Sequence, residues 1–334
     1  MGTARFVTLG SAIVYVIREK DGIHIDARQK VVADSRKATG DVNFVSHAHF
    51  DHLHQGGNRV LCSPETAELV EARTGDEVES SHSHRDIELL PSGHILGSRA
   101  ALIRGEKDVL YTGDVSLRDR FYLDGFEPVE ADVLVVESTY GIPAYSFPPQ
   151  EEVERRFMEW MENVERPVLL FGYSLGKAQK IQKLVEKATE RPLLAHGAVK
   201  NMNDAVEEAA GIGFEAEPYS GNREKLEDGV LVAPSRLSNS DWADELVKEF
   251  DALKAGFSGW AAQESFRYRG DYDRTFPLSD HCGFEDLVKL VEEVDPDKVY
   301  THHGFDEAFA SYLSREKGVS AQPLKKNQST LADF

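Results

Sequence analysis

One short stretch constrains this chain more than any other. Residues 47–52 read His-Ala-His-Phe-Asp-His, which places three imidazoles and one carboxylate within six positions. An apolar run, residues 42–45, comes just before it. The pattern predicts a strand that delivers metal ligands into a loop, because loop side chains can converge where strand side chains alternate between faces. The alternative is a surface histidine-rich loop, but the apolar run and the ligand spacing favour the metal site.

The cysteine content limits what kind of metal site this is. The chain of 334 residues has two cysteines, Cys62 and Cys282, and they form no C-x-x-C motif. This excludes a disulfide framework and an all-thiolate zinc site, so histidines and carboxylates must hold any metal. No segment approaches the ~18 apolar residues of a membrane span. Residues 11–17 are apolar but lack the flanks of a signal peptide, so we interpret them as a core strand of a cytoplasmic protein.

The charge balance is strongly acidic. Asp and Glu outnumber Lys and Arg by 58 to 38, which gives a formal net charge of −20 spread along the chain. A dispersed acidic surface is typical of proteins that work where salt screens charge, and adaptation to a high-salt cytoplasm is one hypothesis. The charge argues against nucleic-acid binding by surface electrostatics alone. A nucleic acid would have to be bound locally, in a groove with metal ions.

Further ligand candidates lie at the ends of other predicted strands. His94 and Asp114 each follow an apolar strand and each sits beside a glycine, which lets the backbone approach a crowded site. Glu137 ends a third strand. Asp34 ends an earlier strand and either orients a ligand or caps a turn; the residues alone leave both interpretations open.

The middle of the chain, residues 148–250, alternates strands and helices. Predicted strands at 168–173, 193–195 and 229–233 are each followed by a helix, which indicates a parallel sheet covered by helices. The loop 172–177 is not a Walker A motif, because three residues rather than four separate its glycines and Ala178 follows its lysine. It either holds a substrate phosphate on backbone N–H groups or is a plain tight turn.

Several of these segments resemble, in order, the motifs of one family. The matching segments are Asp34, residues 47–52, Gly93-His94, Thr112-Gly113-Asp114, Glu137-Ser138-Thr139-Tyr140-Gly141, Ser279-Asp280-His281 and His303-Gly304. The first four resemble the metal motifs of the metallo-β-lactamase superfamily. The last three resemble the extra motifs of its β-CASP branch, whose members cut nucleic acids. Residues 171–179 and 195–198 are similar to segments of ligase-associated DNA exonucleases, and the chain also resembles archaeal mRNA 3′-end processing factor-like exonucleases.

The resemblance implies an α/β fold, the αββα metallo-β-lactamase sandwich with an inserted α/β β-CASP cap. The expected boundaries are residues 1–147 for the first part of the catalytic domain, 148–250 for the cap and 251–334 for the second part. The expected cofactors are two Zn²⁺ ions, with Mn²⁺ possible, since nitrogen and oxygen ligands without thiolate suit both.

The resemblance also implies residue roles. His47, His49 and His94 would hold one metal, Asp51, His52 and His303 the other, with Asp114 bridging and Asp34 supporting the ligands from behind. His303 is favoured over His302 because a glycine follows it. His281 would be the general acid, fixed by Glu137, so that the expected catalytic residues are Asp51, Glu137 and His281. Ser174, Lys177 and His196 are candidates for contacts with substrate phosphates, and Tyr140 and Trp260 for stacking on bases.

The predicted function is therefore a dinuclear-metal nuclease acting on single-stranded RNA or DNA, trimming ends as an exonuclease. The alternative is a hydrolase of a small-molecule ester or thioester; the insertion and His281 count against it. A binding-only subunit is a third interpretation, which the complete set of ligand positions disfavours. The expected partner is nucleic acid and not a membrane, and a homodimer and an association with RNA-processing or DNA-repair proteins are compatible with the resemblance.

Overall fold

The computed structural model describes residues 16–54 and 59–324. The core strand predicted from residues 11–17 lies outside these residues except for its last two positions. In chain order the strands are β1 (Val16–Glu19), β2 (Ile23–Asp26), β3 (Lys30–Ala33), β4 (Val42–Phe44), β5 (Val60–Leu61), β6 (Ser80–Ser81), β7 (Ile87–Pro91), β8 (Arg99–Ile103), β9 (Val109–Tyr111), β10 (Val133–Glu137), β11 (Val168–Gly172), β12 (Leu193–Ala195), β13 (Glu217–Pro218), β14 (Val230–Pro234), β15 (Leu253–Phe257), β16 (Arg274–Phe276), β17 (Lys298–His302) and β18 (Ala321–Pro323).

The α-helices fall between these strands. They are α1 (Pro64–Thr74), α2 (Gln150–Glu162), α3 (Lys177–Ala188), α4 (Gly197–Ala210), α5 (Asp241–Phe250), α6 (Ser265–Arg269), α7 (Phe284–Val294) and α8 (Asp306–Tyr312). Local sequence explains α1, whose first residue is Pro64 and whose Ser63 hydroxyl accepts the N–H of Thr66. Gly75, at a φ of 76°, ends that helix. None of the described helices is both long and apolar enough to span a bilayer.

Two of the three sheets in the described part of the chain are mixed, with both parallel and antiparallel strand pairs, and they pack on each other. One has the strand order β1-β2-β3-β4-β5-β6 and the other the order β18-β17-β10-β9-β8-β7. Their facing side chains, among them Ile25, Phe44, Tyr111 and Val135, share one buried core. Helices α7 and α8 cover the outer face of the second sheet, and α1 with α4 covers that of the first. This is the predicted helix–sheet–sheet–helix sandwich.

The third sheet is built from the insertion. Its order is β13-β12-β14-β11-β15-β16, with parallel pairing throughout. Helices α2 and α3 pack on one face, and α5 packs on the other. The expected boundary at residue 250 would separate β15 and β16 from the sheet in which they pair. We therefore propose that the insertion extends through Phe276.

The topology gathers the motif residues at one edge. Strands β3 and β4 are parallel, as are β9, β10 and β17, so their carboxyl ends point the same way. Glu137 is the last residue of β10, and Asp34, residues 47–52, Asp114 and His303 follow the other ends directly or within a few residues. Because the insertion leaves after β10, its loops lie beside the same edge.

Candidate active site

Three histidines converge on a single point. His47 Nε2 and His94 Nε2 lie 3.1 Å and 3.2 Å from His49 Nδ1. Asp114 Oδ2 lies 3.4 Å from the same two Nε2 atoms. All four ligand atoms are within 4.8 Å of one another. These separations are those expected between the ligands of one tetrahedral ion with bonds of about 2.0–2.1 Å.

The hydrogen bonds of the three rings determine which nitrogens carry protons. His49 Nε2 contacts the Leu175 carbonyl at 3.2 Å and His94 Nδ1 contacts the Asp280 carbonyl at 2.9 Å. A carbonyl only accepts, so both of these nitrogens donate. His47 Nδ1 donates to Ser46 Oγ, whose own proton is given to Asp34. The three converging nitrogens are therefore unprotonated in the neutral rings.

Lone pairs that face each other at 3.1–3.2 Å repel unless a cation lies between them. Burial also keeps these rings neutral: it lowers the pKa of His49 to about 4 and holds the pKa values of His47 and His94 well below their usual range. Neutral imidazole is the form that binds metal. The donor set thus fits a divalent cation.

A second, more open group of ligand atoms adjoins the first. His52 Nε2 lies 3.7 Å from Asp51 Oδ2 and 3.7 Å from Asp114 Oδ2, so Asp114 faces both groups. His303 lines the same cleft, with its ring centroid 6.3 Å from that of His52. Burial lowers the pKa of His52, but the carboxylates of Asp114 and Asp34 outweigh it and raise the pKa to about 10. The same carboxylates that attract a proton to His52 would also attract a metal ion at this position.

Asp34 supports both groups from behind. Its carboxylate accepts the Nδ1 proton of His52 at 2.9 Å, the Tyr111 hydroxyl at 2.7 Å and both the N–H and the hydroxyl of Ser46. Through Ser46 it also fixes His47. These hydrogen bonds agree with the interpretation of Asp34 as a carboxylate that orients ligands, which stays a prediction.

The two histidines at the end of β17 lie in different surroundings. His303 is exposed at the cleft, where the chain takes a left-handed conformation with a φ of 58°. His302 is fully buried and stacks on Tyr111, with ring centroids 5.7 Å apart. Neither ring nitrogen of His302 has a hydrogen-bond partner. The structure thus brings His303, and not His302, to the cleft.

Glu137 and His281 form an ion pair in which Glu137 is buried and His281 lines the cleft. His281 Nδ1 donates to Glu137 Oε1 at 2.9 Å, and Glu137 also accepts the N–H of Thr139. Burial lowers the pKa of His281, but Glu137 and Asp114 more than compensate and raise it to about 9. Burial likewise opposes the charge on Glu137, and His281 lowers its pKa to about 2. At neutral pH the pair is therefore carboxylate and imidazolium.

Asp280 carries a buried charge network that the sequence did not reveal. Its carboxylate contacts Lys177 Nζ at 2.8 Å, Lys180 Nζ at 2.7 Å and Arg120 Nη1 at 3.2 Å. These cations also donate to the carbonyls of residues 278 and 279. The three cations hold the pKa of Asp280 well below its usual range although burial opposes this. The network fixes the backbone that carries His281.

The network includes Lys177, which also lines the cleft. The sequence suggested a contact with substrate phosphates, but Lys177 is only 3 % exposed and its ammonium is taken up by Asp280 and the Leu278 carbonyl. A buried ammonium needs such partners, because desolvation without them is costly.

The other two predicted substrate contacts lie on the insertion. Ser174 is partly exposed in the loop between β11 and α3, and its carbonyl accepts from Gln179. In this loop Gly176 has a φ of 90°, and a Cβ there would come within 2.4 Å of Ile95. The loop thus packs closely on the segment that carries His94. His196 instead caps α4 and packs against Trp242, and it is not among the residues that line the cleft.

Four further side chains line the cleft that the sequence did not single out, namely Phe50, Arg73, Tyr173 and Ser258. Phe50 was visible within the histidine cluster, but nothing in its position indicated exposure. Tyr140 and Trp260, considered for base stacking, line the cleft too, although both also pack in an aromatic cluster with Tyr145 and Phe147.

The chain is similar in sequence to several known proteins. No family model matches it. A probable DNA ligase of Opitutus terrae is 33 % identical over 295 residues, which are 84 % of this chain and 28 % of that protein. An RNase J-like protein of Methanocaldococcus jannaschii is 29 % identical over 181 residues, 43 % of each chain. Cleavage and polyadenylation specificity factor subunit 3 of Dictyostelium discoideum is 35 % identical over 113 residues, 32 % of this chain and 14 % of that protein.

The chain therefore spans less than half the length of each of these relatives. The names RNase J-like protein and cleavage and polyadenylation specificity factor agree with the order of the motifs along the chain, with the sandwich of two sheets and with the His/Asp cluster at its edge. Together these findings confirm the resemblance of the chain to the β-CASP branch of the metallo-β-lactamase superfamily.

Proposed function

We propose that this protein is a dinuclear-metal nuclease that hydrolyses phosphodiester bonds in single-stranded RNA or DNA and trims ends as an exonuclease. The observation that carries the proposal is the convergence of three unprotonated imidazole nitrogens on Asp114, beside the Glu137–His281 pair. The first group of ligands is His47, His49, His94 and Asp114. The second is Asp51, His52 and His303, with Asp114 shared.

Zn²⁺ suits these ligands best, and Mn²⁺ is also compatible. Bound ions would activate a water molecule as nucleophile and neutralise charge on the phosphate. The protein's own residues hold the ligand geometry: Asp34, Ser46 and the carbonyls of Leu175 and Asp280 each fix one ring so that its free nitrogen faces the site.

His281 is the proposed proton donor to the leaving oxygen. Its Nδ1 proton is held by Glu137, so Nε2 is the atom that would deliver a proton to substrate. The pKa of about 9 keeps the ring protonated at neutral pH. The side chain is 23 % exposed and lines the cleft, within reach of a bound strand.

The shape of the cleft supports a polymer as substrate. It encloses about 440 Å³ and is lined both by the sandwich and by loops of the insertion, including Tyr173 and Trp260. A small-molecule ester hydrolase would not need a separate six-stranded sheet at the mouth of its site. The names of the relatives point to both RNA and DNA, so the choice between them is part of the test.

The test uses matched RNA and DNA strands labelled at either end, incubated with the protein and Zn²⁺ or Mn²⁺. We expect shortening of single strands from one end, and a fall of about 10²–10⁴-fold in rate for His281→Ala, the usual contribution of a general acid. His82→Ala, at an exposed histidine outside the cleft, is the matched control. Absence of cleavage of both nucleic acids, with hydrolysis of an ester or thioester, would favour the alternative hydrolase. A homodimer and an association with RNA-processing or DNA-repair proteins stay predictions.

A further inference from the structure

Two large aromatic side chains are exposed at the mouth of the cleft. Among the described residues, four large hydrophobic side chains are exposed. Two of them line the cleft, Phe50 with 61 % of its surface exposed and Tyr173 with 64 %. Exposing such surface is unfavourable in water, and a concentration of it at one opening indicates a binding surface. Neither ring is a metal ligand or part of the buried aromatic cluster.

The two rings approach the metal ligands from different parts of the fold. Phe50 follows His49 in the loop after β4, whereas Tyr173 belongs to the insertion loop after β11. The Tyr173 ring centroid lies 6.1 Å from that of His49. Phe50 is therefore the chain neighbour of His49, and the Tyr173 ring of the insertion lies near the His49 ring.

A guanidinium completes the group. Arg73, in the last turn of α1, lies over the Phe50 ring with 4.1 Å between Cζ and the ring centroid, and it also lines the cleft. Its Nε is buried without a hydrogen-bond partner. No carboxylate of residues 16–54 and 59–324 forms an ion pair with Arg73, although burial lowers its pKa and the charge of Asp51 acts on it against this effect. Lys177, the lysine of the cleft, is by contrast taken up by Asp280. Arg73 thus lines the cleft as a cation that is not taken up by an ion pair among the described residues.

We propose that Phe50, Tyr173 and Arg73 form a nucleotide subsite, called here the mouth subsite. It binds the nucleotide next to the bond that is cut: an unpaired base stacks on the aromatic rings, and Arg73 contacts a flanking phosphate. Bases stack on aromatic rings whatever their sequence, and an arginine fork matches phosphate oxygens. A base inside a duplex is already stacked on both faces, so the mouth subsite selects single-stranded ends. This inference rests on the proposed nuclease function.

The experiment measures oligonucleotide affinity by fluorescence anisotropy in the His281→Ala background with metal bound, so that cleavage does not interfere. Phe50→Leu and Tyr173→Leu should each weaken binding of a single strand by on the order of tenfold to a hundredfold, the range for one stacked base. Tyr268→Leu, which removes a ring that is 82 % exposed outside the cleft, should change nothing. Arg73→Gln should lower the slope of log affinity against log salt by about one, which corresponds to the loss of one phosphate contact.

An abasic residue tests whether the rings bind a base. Removing the base at the terminal position should weaken binding to the otherwise unchanged protein, and Tyr173→Leu should then cause little further loss. Metal content measured on each variant separates a direct effect of Phe50→Leu from a disturbed ligand loop; Tyr173 lies outside that loop. Equal affinity for single strand and blunt duplex, or unchanged affinity in both aromatic variants, would overturn the mouth subsite. Cleavage that persists when Phe50→Leu or Tyr173→Leu is made with His281 intact would leave the nuclease proposal standing. An absence of binding and cleavage for every oligonucleotide, with His281 intact, would count against the nuclease itself.

Discussion

At the scale of single residues, the two adjacent histidines at the end of β17 show how position decides chemistry. His302 completes the strand and points into the core against Tyr111, whereas His303 leaves the strand in a left-handed conformation and reaches the cleft. A histidine without hydrogen-bond partners in the core contributes little that an apolar side chain would not. Of the two rings, that of His303 lines the cleft, and we propose it as the ligand.

His303→Ala should therefore lower the metal content of the purified protein from about two ions per chain toward one. His302→Leu, which keeps an apolar ring-sized volume in the core, should retain the full metal content. Inductively coupled plasma mass spectrometry on the two variants measures the difference. The reverse pattern would reassign the ligand to His302.

Glu137 pairs with His281, and we propose that its charge holds the His281 proton. Glu137→Gln removes the negative charge that holds the His281 proton, so the fraction of imidazolium at neutral pH should fall. We expect turnover to drop by about 10²-fold or more, with metal content unchanged. Single-turnover cleavage together with metal analysis checks this; full activity in the variant would show that the ion pair has no catalytic role.

At the scale of elements, helix α3 is attached to the site by charge as well as by packing. Lys177 and Lys180 lie on its first turn and meet Asp280 on the loop that carries His281, while Arg120 approaches from the other side. The His94 ring is fixed by the carbonyl of the same Asp280. The position of the insertion and the geometry of the site are therefore coupled through one carboxylate.

Asp280→Asn should destabilise the protein by about 3–5 kcal/mol, because it leaves buried cations without their partner. Asp297→Asn serves as the control. Asp297 pairs with Lys107 at 2.7 Å but is 66 % exposed, and such surface pairs contribute about 0–1 kcal/mol. Urea unfolding measures both changes; losses of equal size would show that the buried network has no special role.

At the scale of the whole molecule, the acidic charge is the dominant property. With a net charge of −20, self-repulsion opposes the compact state unless salt screens it. The Debye length falls from about 10 Å at 0.1 M salt to about 3 Å at 1 M, which is shorter than most distances between surface charges.

The melting temperature should consequently rise by several degrees between ~0.1 M and ~1 M KCl, since about 1 kcal/mol corresponds to roughly 2–4 °C in a chain of this size class. Sucrose at matched osmolality controls for effects that do not depend on charge. Differential scanning calorimetry gives the values. Full stability at ~0.1 M KCl with no further gain would contradict adaptation to high salt.

The sequence by itself determined the ligand chemistry and the class of fold. The six residues at 47–52 predicted a metal site. His94, Asp114 and Glu137 lie at predicted strand ends beside glycines or turns, and the local sequence pattern is enough to recognise such positions as candidate sites. The tertiary structure decided what depends on distant partners. In the folded protein Lys177 is buried against Asp280, and His303 rather than His302 lies at the cleft. The third sheet continues to Phe276, and Phe50 and Tyr173 are exposed near His49. Burial and pairing arise from residues far apart in the chain, so no local pattern could have shown them.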